Sequence, residues 1–318
     1  MNELTQNETL PIGETIELLL STKRSAATIK AYRSDFEFII SHLNGANYGI
    51  STINELITSE PHFVAIVLNK YKVSMLDAGL SEATINRRLS AVRALLKFAH
   101  RMGVSKTDGR NLVDSEKVRS YRDTRGPSLD KVKDLFDLPF AVHGRGSVAA
   151  LRDKAMLSLL FMNGLRAGEL VALNTADYIP SEQRLYITGK GRGSQKEPVT
   201  LSEHTITAID AYLDRSGHKA SALFVNVARN NKGKRLPVRL SYNGLYRILV
   251  AYGLKLGLKL SPHKLRHSAI TEVLKATNGN VAKAQRFSRH LDPKTVMIYD
   301  DNRADTQGEL TRMLGGLV

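Results

Sequence analysis

The sequence predicts a mainly α-helical fold with a small antiparallel β-sheet, divided between two domains. Three observations predict it. Apolar residues recur at helical spacing through the first hundred residues, a pair of short β-like segments flanks a glycine-rich basic stretch, and the apolar period lapses between Gly103 and Pro127. A chain of 318 residues is long enough to bury two separate cores without disulfides or metals as staples. The division expected is a helical domain over residues 1–102, a linker over 103–126, and a second domain over 127–318 with a tail over 304–318.

In the first domain, Thr28 to Leu43 places Ile29, Tyr32, Phe36, Ile39 and Ile40 on one helical face, and Pro61 to Leu76 repeats such a pattern. Ser81 is positioned to cap a third helix, with Ile85, Leu89, Val92, Leu96 and Ala99 as its stripe. Arg87, Arg88, Arg93 and Lys97 lie off that stripe. A soluble face explains them as well as contact with a nucleic-acid backbone does. In the second domain Ser128 precedes a helix holding Val132, Leu135 and Phe136, and Leu151 to Asn163 forms an apolar helix that Gly164 ends. Leu185 to Thr188 and Pro198 to Leu201 read as a hairpin with a long basic tip, after which helices are expected from Ser202 onward.

Composition narrows the function. There is no cysteine, which removes disulfides, thiolate nucleophiles and Cys-ligated metals and suits a reducing cytosol. No apolar run approaches the roughly 20 residues of a membrane span, and the acidic N-terminus is unlike a signal peptide, so a cytoplasmic protein without a membrane partner is expected. The net charge of +15 points to a polyanion. Residues 1–102 carry 11 Lys and Arg against 10 Asp and Glu, whereas residues 127–318 carry 29 against 17. From Arg215 to Thr271 no acid occurs, while cations accumulate, among them Arg229, Lys232, Lys234, Arg235, Arg239, Arg247, Lys255, Lys259 and Lys264. So long a stretch without counter-charge favours a phosphate-contacting surface over a solvated basic face.

Four short stretches carry chemistry. In SPHKLRHSAITEVLKA, Ser261 can cap and Pro262 fits the first helical position, so His263 and Arg266 stand one turn apart beside the free amides of a helix start, a place suited to an anion. In NGLRAGELVAL, Arg166 is flanked by Leu165, Leu170 and Val171, and such an arginine needs an anionic partner, which Glu169 or a ligand would supply. Lys190 stands between two glycines at the hairpin tip, where an ammonium could reach a leaving oxygen or be merely solvated. This GKG lacks the spacing of a nucleotide-binding loop. Tyr299 follows His290 by nine positions in SRHLDPKTVMIYDD. A phenol with an ordinary pKa of about 10 attacks phosphorus only in a cationic surround.

Taken in order, GLRAGEL, GKG, HKLRH and RHLDPKTVMIY resemble the tyrosine recombinases, the phage-integrase and Xer-type site-specific recombinases, and the likeness spans the whole chain. The resemblance implies a two-domain DNA clamp, with a helical, SAM-like core-binding domain ahead of an α/β catalytic domain. It implies that Arg166 and Arg266 clamp the scissile phosphate, that His263 and His290 hydrogen-bond to it or move protons, that Lys190 protonates the departing 5′ oxygen, and that Tyr299 becomes the 3′-phosphotyrosine. Arg87, Arg88, Arg93, Lys97, Arg235, Arg239 and Arg247 would contact DNA. No cofactor, metal or ATP is implied, since the covalent link stores the bond energy and two arginines do the neutralising that Mg²⁺ does elsewhere. The partners implied are double-stranded DNA with inverted-repeat core sites and three further copies in a tetramer, associated with a bacterial nucleoid, with the tail packed on a neighbouring protomer.

Two departures stand out. Ser288-Arg289-His290 replaces the usual Leu-Gly-His, which predicts an altered turn and an added cation, and the hairpin lacks the commoner Asn-Lys-Glu-Arg order. Three rivals stand beside the recombinase: a type IB-like topoisomerase, a catalytically silent DNA-binding regulator of the same fold, and an RNA-binding helical scaffold.

Overall fold

Apolar residues three and four apart set every long helix of the first unit. The computed structural model describes residues 12–23, 25–45, 52–118, 126–189, 195–227, 237–301 and 306–317, and the chain divides into Met1–Arg122 and Asp123–Val318. The first unit contains α1 (Ile12–Ser21), α2 (Ala26–Gly45), α3 (Ile53–Thr58), α4 (Pro61–Asp77) and α5 (Glu82–Arg101). The α5 stripe of Ile85, Leu89, Val92, Leu96 and Ala99 is fully buried and meets Phe36, Ile39 and Leu43 of α2 and Val64, Leu68 and Tyr71 of α4. Ser81 occupies the expected cap position, but its hydroxyl lies 2.9 Å from the Thr84 hydroxyl and caps no backbone amide.

The segment expected to begin a linker behaves differently. Val113 is buried in the first unit's core, with Val104 and Leu112 packed against it. Polar side chains fasten this stretch down. Asn86 donates to the Glu116 carbonyl at 2.8 Å and accepts from the Glu116 amide at 2.7 Å, and Lys72 pairs with the Glu116 carboxylate at 2.6 Å. Hydrogen bonds need no apolar period, which is why the sequence pattern passes over them.

The second unit packs α6 (Leu129–His143) on α7 (Val148–Phe161), followed by α8 (Ala167–Ala172). Its sheet runs β1 (Tyr178–Ile179), β2 (Arg184–Thr188), β3 (Lys196–Thr200), all antiparallel, with Tyr178 opposite Leu185 and Leu185 opposite Val199. Leu185, Ile187 and Val199 turn one face into the core. The two-residue β1 is an addition to the expected hairpin.

Helices resume with α9 (Glu203–Ser216), but the chain then departs from the helical expectation. Gly217 takes φ +57° and ends α9, after which Leu223 donates to the Leu173 carbonyl and Leu240 to the Phe224 carbonyl, each at 2.9 Å. This stretch joins the core by strand-like bridges. Beyond it come α10 (Tyr242–Lys255), α11 (Pro262–Ala276), α12 (Val281–Ser288), α13 (Pro293–Asp301) and α14 (Thr306–Gly315). Ile270 and Leu274 of α11, Ala284 of α12, and Val296 and Tyr299 of α13 form a small core distinct from the main one. Met313, Leu314 and Leu317 of the tail are exposed. Among the described residues, no helix is long and apolar enough to cross a membrane.

Because Leu89 is fully enclosed in the first unit's core, Leu89→Ala is expected to cost about 2–5 kcal/mol, read as a lowered urea midpoint at an unchanged denaturant slope.

Candidate active site

Gly164 turns the chain after α7 with φ +55°, and a Cβ there would come within 2.9 Å of the Phe287 ring, so both the backbone angle and the space favour glycine. That turn delivers Arg166 to the N-cap position of α8. Glu169, one turn on, accepts from the Arg166 amide at 2.8 Å and from its Nη1 at 2.6 Å, while Arg166 Nη2 donates to the Arg289 carbonyl at 3.3 Å. Burial pushes the Glu169 carboxyl up, but the Arg166 amide and the guanidiniums of Arg289 and Arg166 outweigh it and hold the group below its ordinary range.

The α11 start is built as the sequence predicts. Ser261 Oγ accepts from the Lys264 amide at 3.2 Å, Pro262 opens the helix, and His263 and Arg266 follow on one face. Arg266 is 3% exposed, and its guanidinium donates to the carbonyls of Gly164 and Ser288. Burial, with Arg166 and Arg289 nearby, pushes its pKa down to about 10, so it stays charged at neutral pH.

His290 shows which nitrogen carries its proton. Arg266 Nη2 lies 3.4 Å from His290 Nε2, and a guanidinium can only donate, so Nε2 accepts. The proton therefore sits on Nδ1, which donates to Ser288 Oγ at 2.9 Å; that hydroxyl donates onward to the Gln285 carbonyl at 3.3 Å. Burial and the surrounding Arg266, Arg166, Arg289 and His263 push His290 down to about 4. His263 is likewise lowered, by burial and by Arg266. Both imidazoles are neutral at physiological pH.

Tyr299 is 4% exposed on α13, its ring stacked on His290 at 5.7 Å and tilted against His267 at 4.4 Å. Burial raises the phenol's pKa, although Arg266 and Arg166 pull against it. Beside it lies a pocket of about 220 Å³ lined by Arg166, Ala167, Gly168, Tyr242, Pro262, His263, Arg266 and His290. Two guanidiniums, two neutral imidazoles and a helix N-terminus converge there with no carboxylate in the lining, an arrangement suited to a tetrahedral anion. Tyr299 is not itself in the lining; it stands behind His290.

The structure thus brings Arg166, His263, Arg266, His290 and Tyr299 together. Lys190 and Arg235 lie outside the described residues, as do Arg229, Lys232 and Lys234. The remaining cations assigned to DNA fall into two groups. Arg88 lies 3.3 Å over the Phe38 ring, Arg93 donates to Val113 O and Ser115 Oγ, and Arg239 donates to the carbonyls of Val171 and Leu173, so these three are engaged within the fold. Arg87 pairs with buried Asp35 but keeps half its side chain in solvent, and Lys97 and Arg247 are exposed. Tyr242, His267 and Ser288 escape sequence reasoning, since an aromatic, a histidine and a serine carry no distinguishing pattern there. Arg289 stands out in the sequence only as a departure. It takes φ +56°, the left-handed turn that glycine favours, so the turn before His290 is made despite the substitution.

Comparison with known proteins agrees over the whole chain. The phage integrase family matches residues 130–305, and the phage integrase N-terminal SAM-like domain matches residues 15–103. A tyrosine recombinase of Synechococcus elongatus is 37% identical over 308 residues, covering 96% of this chain and 94% of that protein. One from a Synechocystis species is 35% identical over 310 residues, covering 95% of each. Among solved structures, the XerH site-specific recombinase bound to a palindromic difH substrate, a post-cleavage complex, aligns with a TM-score of 0.69 at 16% identity, covering 97% of this chain and 86% of that one. A lambda integrase dimer bound to a COC′ core site aligns at 0.64 and 16% identity, covering 92% and 94%. These two share the fold. The chain belongs to the phage integrase family of tyrosine recombinases.

The low pKa of His290 has a measurable consequence. In the unfolded chain the imidazole titrates near 6.5, in the folded chain near 4, so between those values the unfolded state binds the extra proton. Native stability should fall as pH drops through that window and level off below it. Subtracting the Tm of His290→Gln from that of the parent at each pH isolates the effect; a difference that is flat from pH 7 to 4 would contradict the assignment.

Proposed function

We propose that this member of the phage integrase family is a site-specific DNA recombinase that cuts and rejoins duplex DNA through a 3′-phosphotyrosine at Tyr299. The observation that carries the reading is the convergence of Arg166, His263, Arg266 and His290 on one anion-sized pocket with Tyr299 stacked behind it.

Arg166 and Arg266 take the non-bridging oxygens of the scissile phosphate, and His263 and His290, neutral beforehand, hydrogen-bond to it or move protons. The Tyr299 oxygen forms a bond to phosphorus as the bond to the 5′ oxygen breaks, and Lys190 gives that oxygen its proton. A 5′ hydroxyl from the partner strand then attacks phosphorus and releases Tyr299, so one phosphodiester replaces another through a Holliday junction. Fixed cations stabilise the extra charge of each transition state without having to reorganise. The phenol's raised pKa supports an enzyme at rest until DNA arrives.

The helical unit, with the stretch to Glu116 fastened into it, serves as the core-binding domain and residues 127–318 as the catalytic domain. Exposed Lys97 and Arg247, and Arg87 by the half of its side chain that Asp35 leaves in solvent, are positioned to reach phosphates. The exposed apolar side chains of Met313, Leu314 and Leu317 support a tail that packs on a neighbouring protomer in a tetramer on inverted repeats.

The target sequence need not be specified in advance to test this. The full chain is incubated with nicked duplexes randomised over about 30 base pairs, enough for two short half-sites about one helical turn apart, and covalent adducts are recovered under denaturing conditions. An adduct is expected on the 3′ phosphate at Tyr299, absent in Tyr299→Phe although DNA binding persists. Arg266→Lys should lower the cleavage rate by about 10²-fold or more, because a lysine cannot reproduce the fork. DNA binding without an adduct would leave a silent regulator. Adducts with relaxation of supercoils by a monomer and no recombinants would leave a topoisomerase.

A further inference from the structure

Arg289 stands one residue before His290, and its side chain is 11% exposed. It does not line the 220 Å³ pocket. Its backbone takes φ +56°, a conformation that costs a side-chain-bearing residue and is free to glycine. Whatever the arginine contributes must therefore come from its side chain.

That side chain is tied to the supports of both pocket arginines. Gly164 O, which accepts from Arg266, also accepts from Arg289 Nη2 at 3.1 Å. Glu169, which holds Arg166, accepts from Arg289 Nη2 at 3.3 Å. Arg289 Nη1 fastens the carbonyls of Asn163 and Phe287 at 3.0 and 3.1 Å. The links run back as well: Arg166 donates to the carbonyl of Arg289, and Arg266 to that of Ser288. On its far side Arg289 Nε lies 3.7 Å from Glu197 on β3, which pairs with Ile187 of β2.

We propose that Arg289 is a positioning residue that holds the shared acceptors of Arg166 and Arg266 in place, so that both guanidiniums face the phosphate pocket before DNA binds. Shared charge is the physical basis. Glu169 Oε1 accepts from the Arg166 guanidinium, and Oε2 from the Arg166 amide and Arg289; with Arg289 gone, Arg166 is its one guanidinium partner among the described residues and is drawn fully onto it, away from an incoming phosphate. This rests on the phosphate pocket of the proposed function.

The experiment compares Arg289→Gly, Arg289→Lys and Glu169→Gln in the full chain, using a duplex selected as above. Arg289→Gly keeps the turn and removes the guanidinium. It should slow single-turnover cleavage of bound DNA by about 10²-fold, the cost of misplacing catalytic groups by about an ångström. DNA affinity should change by less than about threefold and its salt slope not at all, since a buried guanidinium releases no counterions. Arg289→Lys should fall between Gly and the parent. Because Arg289 acts through Glu169, the double variant Glu169→Gln/Arg289→Gly should cleave no more slowly than Arg289→Gly alone. Parent-like cleavage by Arg289→Gly would overturn the proposal, and so would a salt slope reduced by about one, the mark of a direct phosphate contact.

A second arm works without DNA and separates this inference from the functional reading. His290 is faced by Arg266, Arg166, Arg289 and His263, with the Tyr299 ring and Ser288 completing its surroundings. Its imidazole resonance in the free chain is followed by NMR against pH and against inorganic phosphate. Arg289→Gly should move the midpoint upward and weaken the response to phosphate; if neither changes, the proposal fails even where cleavage falls. If the parent yields no DNA adduct but this arm behaves as expected, the recombinase reading fails and Arg289 keeps its role. Should Arg289→Gly not fold, Arg289→Lys, which keeps the charge without the fork, carries both arms.

Discussion

Everything around the pocket follows from one electrostatic constraint: like charges are crowded together in the free chain. Two unit charges about 4 Å apart in a partly wet protein repel by about 4 kcal/mol. The fold meets that cost locally. Carbonyls of Gly164 and Ser288 accept from Arg266, the Glu169 carboxylate is shared, and both histidines give up their protons. Neutral imidazoles are thus a consequence of the crowd. They are also what the chemistry can use, since a neutral ring is able to accept a proton as well as give one.

Tyrosine placement obeys the same logic from the other side. Its ring stacks on His290 and lies tilted against His267, where burial keeps the phenol protonated while the two arginines draw it toward the phenolate. Burial prevails, so the nucleophile proposed above rests as the protonated phenol in the free chain.

How far the sequence made this visible depends on the kind of interaction. The α5 stripe from Ile85 to Ala99 was legible because burial of one helical face imposes a period. Ser261-Pro262 with His263 and Arg266 was legible because a helix start has its own chemistry. Arg289 was not, since the left-handed turn it adopts is ordinarily announced by glycine and its contacts are all to backbone or to residues far along the chain. Arg93 and Arg239 show the converse. Charge counting does not show which cations also hold backbone carbonyls, as Arg93 does half-buried and Arg239 does while remaining exposed. The strapping of residues 103–118 by Asn86 and Lys72 was invisible for a related reason: one well-placed amide does what a run of apolar residues would otherwise do.

The small core under Tyr299 has an evolutionary consequence. Ile270, Leu274, Ala284 and Val296 are packed apart from the large core that supports the sheet and α7. Drift in those few positions would alter how firmly Tyr299, the proposed nucleophile, is seated. Selection on how that side chain is seated would therefore act through four fully enclosed positions, each change carrying the folding cost of an altered core.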